Sequence, residues 1–227
     1  MNRNNDFNKF SRSMGVSSLK LDYYQKHVKS VNPNFGYINP TVIEERQLNV
    51  TQIDVFSRLL MDRIIFLGTG INEDVANIIS AQLLFLQSAD SNKAIELYCA
   101  TPGGSVYAGL QIWDTMNIIT PDVNTTAAGL VASMGFILSI SGNKRYALKN
   151  SRLMMHQPSG GVQGVSMDIE ISANEIIKLR KVLYDIIAEK TNHTYDEVYK
   201  NCERDYWMSA QEALEYGAID EILEKKK

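Results

Sequence analysis

Short apolar runs alternate with helix-patterned segments from about residue 64 to residue 156, and the turns between them carry glycine or proline. Ile64-Ile65-Phe66-Leu67 stops at Gly68 and reads as a buried strand. Asn72 is a good helix cap, followed by Glu73 and Asp74 at the positive end of the helix dipole, and Val75 to Leu86 has helical spacing. Ile95 to Cys99 reads as a second strand, stopped by Thr101-Pro102-Gly103-Gly104, with a helix from about Ser105 to Ile118. Val123 to Ala127 reads as a third strand, Gly129 onward as a short helix, and Leu148 to His156 contains a fourth strand. This βαβ succession predicts an α/β fold with a largely parallel sheet and helices around it. No internal repeat interrupts it.

One helix is unusual. From Met167 to about Lys190, Ile169, Ala173, Ile176, Leu179, Leu183 and Ile186 recur at alternating steps of four and three, and Ile177, Tyr184 and Ile187 run beside them. At ~1.5 Å per residue the helix exceeds roughly 30 Å. That is more apolar face than one small domain readily covers. A core helix is the plain reading; a helix that docks on another subunit is the sharper one.

Residues 1–36 differ from the rest: Asn, Ser and Lys abound and apolar periodicity is lacking. They read as a mobile leader or removable extension, with the folded domain spanning 37–227. The segment lacks the continuous apolar core of a secretory signal, and the chain has no apolar run of the ~20 residues that a membrane span needs. A net charge of −3 speaks against a nucleic-acid or anionic-membrane binder. Cys99 and Cys202 have neither zinc-site nor CxxC spacing, so both read as small buried residues of a reducing, cytoplasmic setting.

Four segments carry chemistry. In Gly129-Leu130-Val131-Ala132-Ser133-Met134-Gly135, a serine among small residues stands between strand and helix. It suits an exposed nucleophile whose small neighbours admit a substrate backbone, with the next N–H, that of Met134, facing an oxyanion. It also suits an ordinary N-cap. It is not the G-x-S-x-G elbow, since Val131 stands where that motif has glycine. Thr101-Pro102-Gly103-Gly104-Ser105-Val106 can expose a second backbone donor or an edge for an extended peptide, or be a plain turn. It lacks the lysine and spacing of a phosphate loop. Of three histidines, His27 lies in the leader and His193 in a polar turn, whereas His156 ends an apolar strand before Gln157-Pro158. If a serine–histidine pair exists, His156 is its base. The acid is open: Asp205, beside Tyr206 and Trp207, is one of many carboxylates that could orient an imidazole.

Taken together and in order, these segments resemble the Clp protease proteolytic subunits. The turn S-P-G-G-x-V appears as Thr101 to Val106, the nucleophile motif as Ala132-Ser133-Met134-Gly135, and the base motif M-x-H-Q-P as Met154 to Pro158. The acid motif is Arg204-Asp205, with a Ser-Ala-x-Glu-Ala-x-x-Tyr-Gly stretch from Ser209 to Gly217. The resemblance runs from about Tyr37 to the C-terminus and has a bacterial look. It implies a ClpP/crotonase-like α/β spiral with a protruding handle helix. It implies Ser133 as nucleophile, His156 as base, Asp205 as orienting acid, and the N–H groups of Gly104 and Met134 as oxyanion hole. A strand from Gly160 to Gly164 would line the substrate groove. The implied function is a serine endopeptidase of an ATP-dependent protein-degradation machine, cleaving unfolded protein and peptide substrates inside two stacked heptameric rings. The chain would need no cofactor; ATP would serve a partner Clp-type AAA+ unfoldase. A non-catalytic ring subunit and a crotonase-type acyl-CoA enzyme are the rival readings. Three features depart from the family pattern: Thr101 for serine, the bulky Phe136 after Gly135, and a shortened loop over Ser141-Gly142-Asn143-Lys144-Arg145.

Overall fold

The computed structural model describes residues 41–46 and 49–225, so the leader and the start of the folded domain as read from sequence lie outside the described residues. Strands β1 (Thr41–Arg46) and β2 (Asn49–Asp54) pair antiparallel. Asp54 then caps helix α1 (Val55–Met61) by accepting from the Ser57 N–H at 2.9 Å.

The main sheet is wholly parallel. Its order is β10 (Glu221–Leu223), β7 (Arg145–Leu148), β5 (Val123–Ala127), β4 (Ile95–Cys99) and β3 (Ile64–Leu67). Helices α2 (Glu73–Ala89) and α3 (Val106–Ile118) form the crossovers that parallel pairing requires. Asn72 caps α2 as its type suggests, accepting from the Val75 N–H at 2.9 Å. The central strand β5 is buried along its whole length, so its polar side chains need partners. Thr125 Oγ1 donates to the Ser139 carbonyl at 2.6 Å and Asn124 Nδ2 to Glu96 Oε1 at 2.7 Å.

Two local readings change, and one strand is added. The Ile64–Leu67 strand is an edge, not a buried strand: Ile65 and Leu67 enter the core while Phe66 points out and stacks on Tyr98 of β4 at 5.6 Å. After Gly129 the chain first makes a strand, β6 (Leu130–Ala132), and only then helix α4 (Met134–Ile140). A three-residue apolar run does not separate the two by periodicity. The strand expected within Leu148–His156 is β8 (Arg152–Met155); β7 before it has no apolar run to mark it, and the two belong to different sheets. β6, β8 and β9 (Tyr206–Ser209) form the second sheet, with β6 parallel and β9 antiparallel to β8.

Every residue of α4 is buried, including Phe136, which disappears into the core instead of crowding the nucleophile. The loop over Ser141–Arg145 is tied down: Trp113 Nε1 donates to Ser141 Oγ at 2.9 Å, and Asn143 donates to Asp122 and accepts from the Val123 N–H. At its end, Arg145 clamps three parts of the chain, donating to the carbonyls of Lys190 and Gly217 and to the carboxylate of Asp220.

That clamp makes stability depend on pH. Burial alone would raise the pKa of Asp220, but the hydrogen bonds and charge of Arg145 outweigh it and hold the carboxyl below its ordinary value. A carboxyl depressed on folding contributes stability that is present above its unfolded pKa and lost as pH falls through the folded one. We expect Asp220→Asn to flatten the acid limb of a stability–pH curve below about pH 4. A limb as steep as that of the wild type would deny Asp220 this role.

The long helix α5 (Ser166–Lys190) has two regimes. Leu183, Tyr184, Ile186 and Ile187 are buried in the chain's own core. No residue from 166 to 182 is buried, and Met167, Ile169, Ile171, Ile177 and Val182 are exposed. The sequence stripe therefore does not share one fate along its length. The chain then forms α6 (Tyr195–Asn201), β9 and α7 (Ala210–Glu215), the two helices each opened by a capping box.

Candidate active site

The small sheet gathers the site at one of its ends. Ser133 directly follows β6 and His156 directly follows β8; the two strands are parallel, so both residues leave from the same edge. Asp205 directly precedes β9, which is antiparallel to β8, and so arrives at that edge too. The register Met155↔Tyr206 is the last rung before His156 and Asp205.

The side chains meet. Ser133 Oγ lies 2.9 Å from His156 Nε2, and His156 Nδ1 lies 3.3 Å from Asp205 Oδ1. With the imidazole proton on Nδ1 facing the carboxylate, Nε2 is left to accept the Ser133 proton. His156 is partly buried, whereas the Asp205 side chain is more than half exposed.

Ser133 sits in a conformation its sequence setting did not advertise. Its φ of 56° and ψ of −124° lie in a region where a non-glycine residue is strained by about 1–3 kcal/mol. Such a turn persists only if its surroundings hold it. The Ser133 N–H donates to the Met154 carbonyl at 2.9 Å, and the Ala132 N–H to the Thr101 carbonyl at 3.0 Å. The hydroxyl does not cap α4 and is left for His156.

The glycines around the turn answer to packing. A Cβ on Gly103 would come within 2.6 Å of the Ala132 carbonyl oxygen and 2.9 Å of the Met134 nitrogen. A Cβ on Gly135 would strike Thr101 Cγ2 at 2.5 Å, and one on Gly109 would strike the Met134 side chain. The small neighbour Gly135 thus makes room for the 101–104 turn, where the sequence had suggested room for substrate. Thr101 keeps the function of a hydroxyl: fully buried, it donates to the Thr69 carbonyl at 2.6 Å and accepts from the Gly103 N–H at 3.1 Å.

Gly104 is pinned opposite Ile71. The Ile71 N–H donates to the Gly103 carbonyl and the Ser105 N–H to the Ile71 carbonyl, a pairing that does not use the Gly104 N–H. With φ at 151° and the Ile71 oxygen 2.1 Å from where a Cβ would stand, no side chain fits there. Met134 opens α4, so its N–H has no intrahelical acceptor.

Two hollows flank the pair. A small apolar one beside Ser133 is lined by Val106, Met134, Ile137, Met155, Leu183 and Ile187 among others. An open cleft of about 550 Å³ lies at His156, Gln157, Asp205 and Trp207. Residues 156–165 run without forming a strand, so the expected Gly160–Gly164 strand is not present in this chain alone. A strand needs a partner for its backbone groups.

The other candidate nucleophiles are spent on structure. Burial pushes the thiols of Cys99 and Cys202 up to about 12, which leaves both protonated at neutral pH. His193 stacks on Tyr216 at 3.9 Å and lies 3.7 Å from Glu197. Among the described residues no cluster of His, Cys, Asp and Glu is placed to hold a metal, and no helix is long and apolar enough to cross a membrane.

Comparison with known proteins adds the following. The family profile described as Clp protease matches residues 46–226. A protein named ATP-dependent Clp protease proteolytic subunit from Bacteroides fragilis (strain YCH46) is 53% identical over 224 residues, covering 97% of this chain and 99% of its own length. One of the same name from Porphyromonas gingivalis is 53% identical over 226 residues, with 98% and 99% covered. A second Bacteroides fragilis protein of that name (strain ATCC 25285) is 58% identical over 193 residues, covering 84% of this chain and 93% of its own.

Proposed function

The chain belongs to the Clp protease family, and from that premise we propose that it is the serine endopeptidase subunit of an ATP-dependent protein-degradation machine, acting through Ser133, His156 and Asp205. The observation that carries the mechanism is the relay Ser133 Oγ–His156 Nε2 at 2.9 Å and His156 Nδ1–Asp205 Oδ1 at 3.3 Å.

In this mechanism Ser133 Oγ attacks the scissile carbonyl carbon as His156 Nε2 takes its proton. The oxyanion is met by the Gly104 and Met134 N–H groups, donors that cost no reorganisation as charge develops. His156 returns the proton to the departing amine, leaving an acyl-Ser133. A water then gives its proton to His156 and its oxygen to the acyl carbon, freeing the new carboxyl end and restoring the serine. The hollow beside Ser133 is lined by apolar side chains, which favours an apolar over a charged residue next to the scissile bond.

Assembly and partner follow from surfaces. The exposed apolar side chains on the first two turns of α5 suit a contact between subunits, as two stacked heptameric rings would provide. A second apolar surface, where Phe66 stacks on Tyr98 and tilts against Phe56 at 6.1 Å, suits the docking of a Clp-type ATPase that unfolds substrates and feeds them in. ATP is then consumed by that partner, the chain itself needs no cofactor, and the cytoplasm is the working compartment. An acyl-CoA enzyme of the same fold would have no use for the serine relay.

Native mass spectrometry after treatment with a fluorophosphonate tests chemistry and assembly together. We expect one adduct per chain, at Ser133, on a particle of fourteen subunits. An unlabelled particle would identify a non-catalytic ring subunit, and a labelled monomer would remove the chamber.

A further inference from the structure

We propose that Gln157 is a positioning residue for the reaction: its side-chain amide extends the β8–β9 pairing past the His156–Asp205 contact and fixes the orienting acid against the base. This rests on the reading of Ser133, His156 and Asp205 as the reacting relay.

The need for such a clamp is visible in the geometry. The β8–β9 ladder ends at Met155↔Tyr206, one residue short of His156 and Asp205. Asp205 is more than half exposed on its side chain, and its ion pair among the described residues is the 3.3 Å contact with His156 itself. Its carboxylate is therefore placed by the backbone on either side of it. On the C-terminal side that backbone is held in β9. On the N-terminal side, the chain has just left α6 and turns through Cys202 and Glu203.

Gln157 holds that turn twice. Its backbone N–H donates to the Cys202 carbonyl at 3.0 Å, and its Nε2 donates to the Glu203 carbonyl at 3.2 Å. The main chain alone could not supply both bonds, because the next residue is Pro158, which has no N–H. The side-chain amide stands in for the missing rung. Asparagine is one methylene shorter, and glutamate carries no donor. Base and acid are thus bracketed by rungs on both sides, and loss of the outer one frees residues 203–205 to swing on a single tether.

The test uses the full chain and steady-state hydrolysis of a short fluorogenic peptide by wild type, Gln157→Met, Asp205→Asn, the double variant, and Ser133→Ala as reference. Gln157→Met keeps the side-chain volume and removes the donor. Its kcat should fall on the order of ten- to a hundredfold, as for a misplaced reacting group, with KM and particle size unchanged. In the Asp205→Asn background the same change should cost nothing further, because there is no carboxylate left to position. Should Gln157→Met not assemble, Gln157→Glu, equal in shape and without the donor, must show the same loss. Wild-type kcat in the assembled variant, or an undiminished loss on top of Asp205→Asn, overturns the clamp. Either result beside an inactive Ser133→Ala leaves the relay standing; an active Ser133→Ala removes the relay itself.

Discussion

Replacing Ser133 by alanine lowers peptide hydrolysis by on the order of 10⁴- to 10⁶-fold, as in the best-studied serine relays, while the protein folds and assembles as before. The two halves of this result have separate causes. The hydroxyl is the only atom lost, and it makes no cap to α4; its partner is His156. Its removal therefore opens little space and unpairs no buried backbone group. The strained turn remains as it was, since alanine at φ 56° carries the same Cβ penalty as serine. Glycine in its place relieves that strain, so Ser133→Gly should be equally inactive yet melt no lower than Ser133→Ala. Peptide turnover and thermal midpoints of the three proteins decide it. Turnover near the wild-type rate in Ser133→Ala would falsify the mechanism, and an alanine variant that fails to fold would show that the serine has a structural duty beyond the relay.

Placing glutamates at Met167 and Ile171 splits the assembly into single rings or smaller pieces. Both residues are about three-fifths exposed in the isolated chain, at 62% and 61%, and lie one turn apart on the same side of α5. An apolar side chain of this size contributes about 1.5–3 kcal/mol when buried. In a seam repeated around a ring, that gain is lost at every copy, and like charges are trapped there without partners. Leu183, on the apolar stripe that the sequence periodicity marks, would be the wrong residue to change: it is 6% exposed and belongs to the chain's own core, so a charge there unfolds the subunit. Sedimentation velocity distinguishes the outcomes. A full-size particle from the double variant means that the exposed half of α5 faces the solvent.

Both predictions turn on distinctions between residues that look alike in the sequence. The alternation of apolar runs with helical segments determines that this is an α/β chain with parallel pairing, because each period buries one face and the crossover helix must return the chain to the same edge. Local chemistry also places the Asn72 cap and marks the glycine turn at 103–104. Serine and histidine stand out because each ends a strand next to small or rigid residues. The sequence determined no more than that by itself, and the family motifs are needed to single out Asp205.

The tertiary structure decided the rest. It decided that Asp205 is the carboxylate facing the base, because an antiparallel strand some fifty residues downstream aligns Tyr206 with Met155. Register between distant strands is set by which faces are buried together, and no local window of sequence contains that information. It decided that Ser133 adopts a left-handed turn, since only the combined hold of Met154, Thr101 and a fully buried α4 makes a strained non-glycine residue affordable. It decided where α5 stops being core, at the point where the rest of the chain no longer reaches it. Periodicity tells that a helix has an apolar face; only the packed molecule tells what, along each turn, is there to cover it.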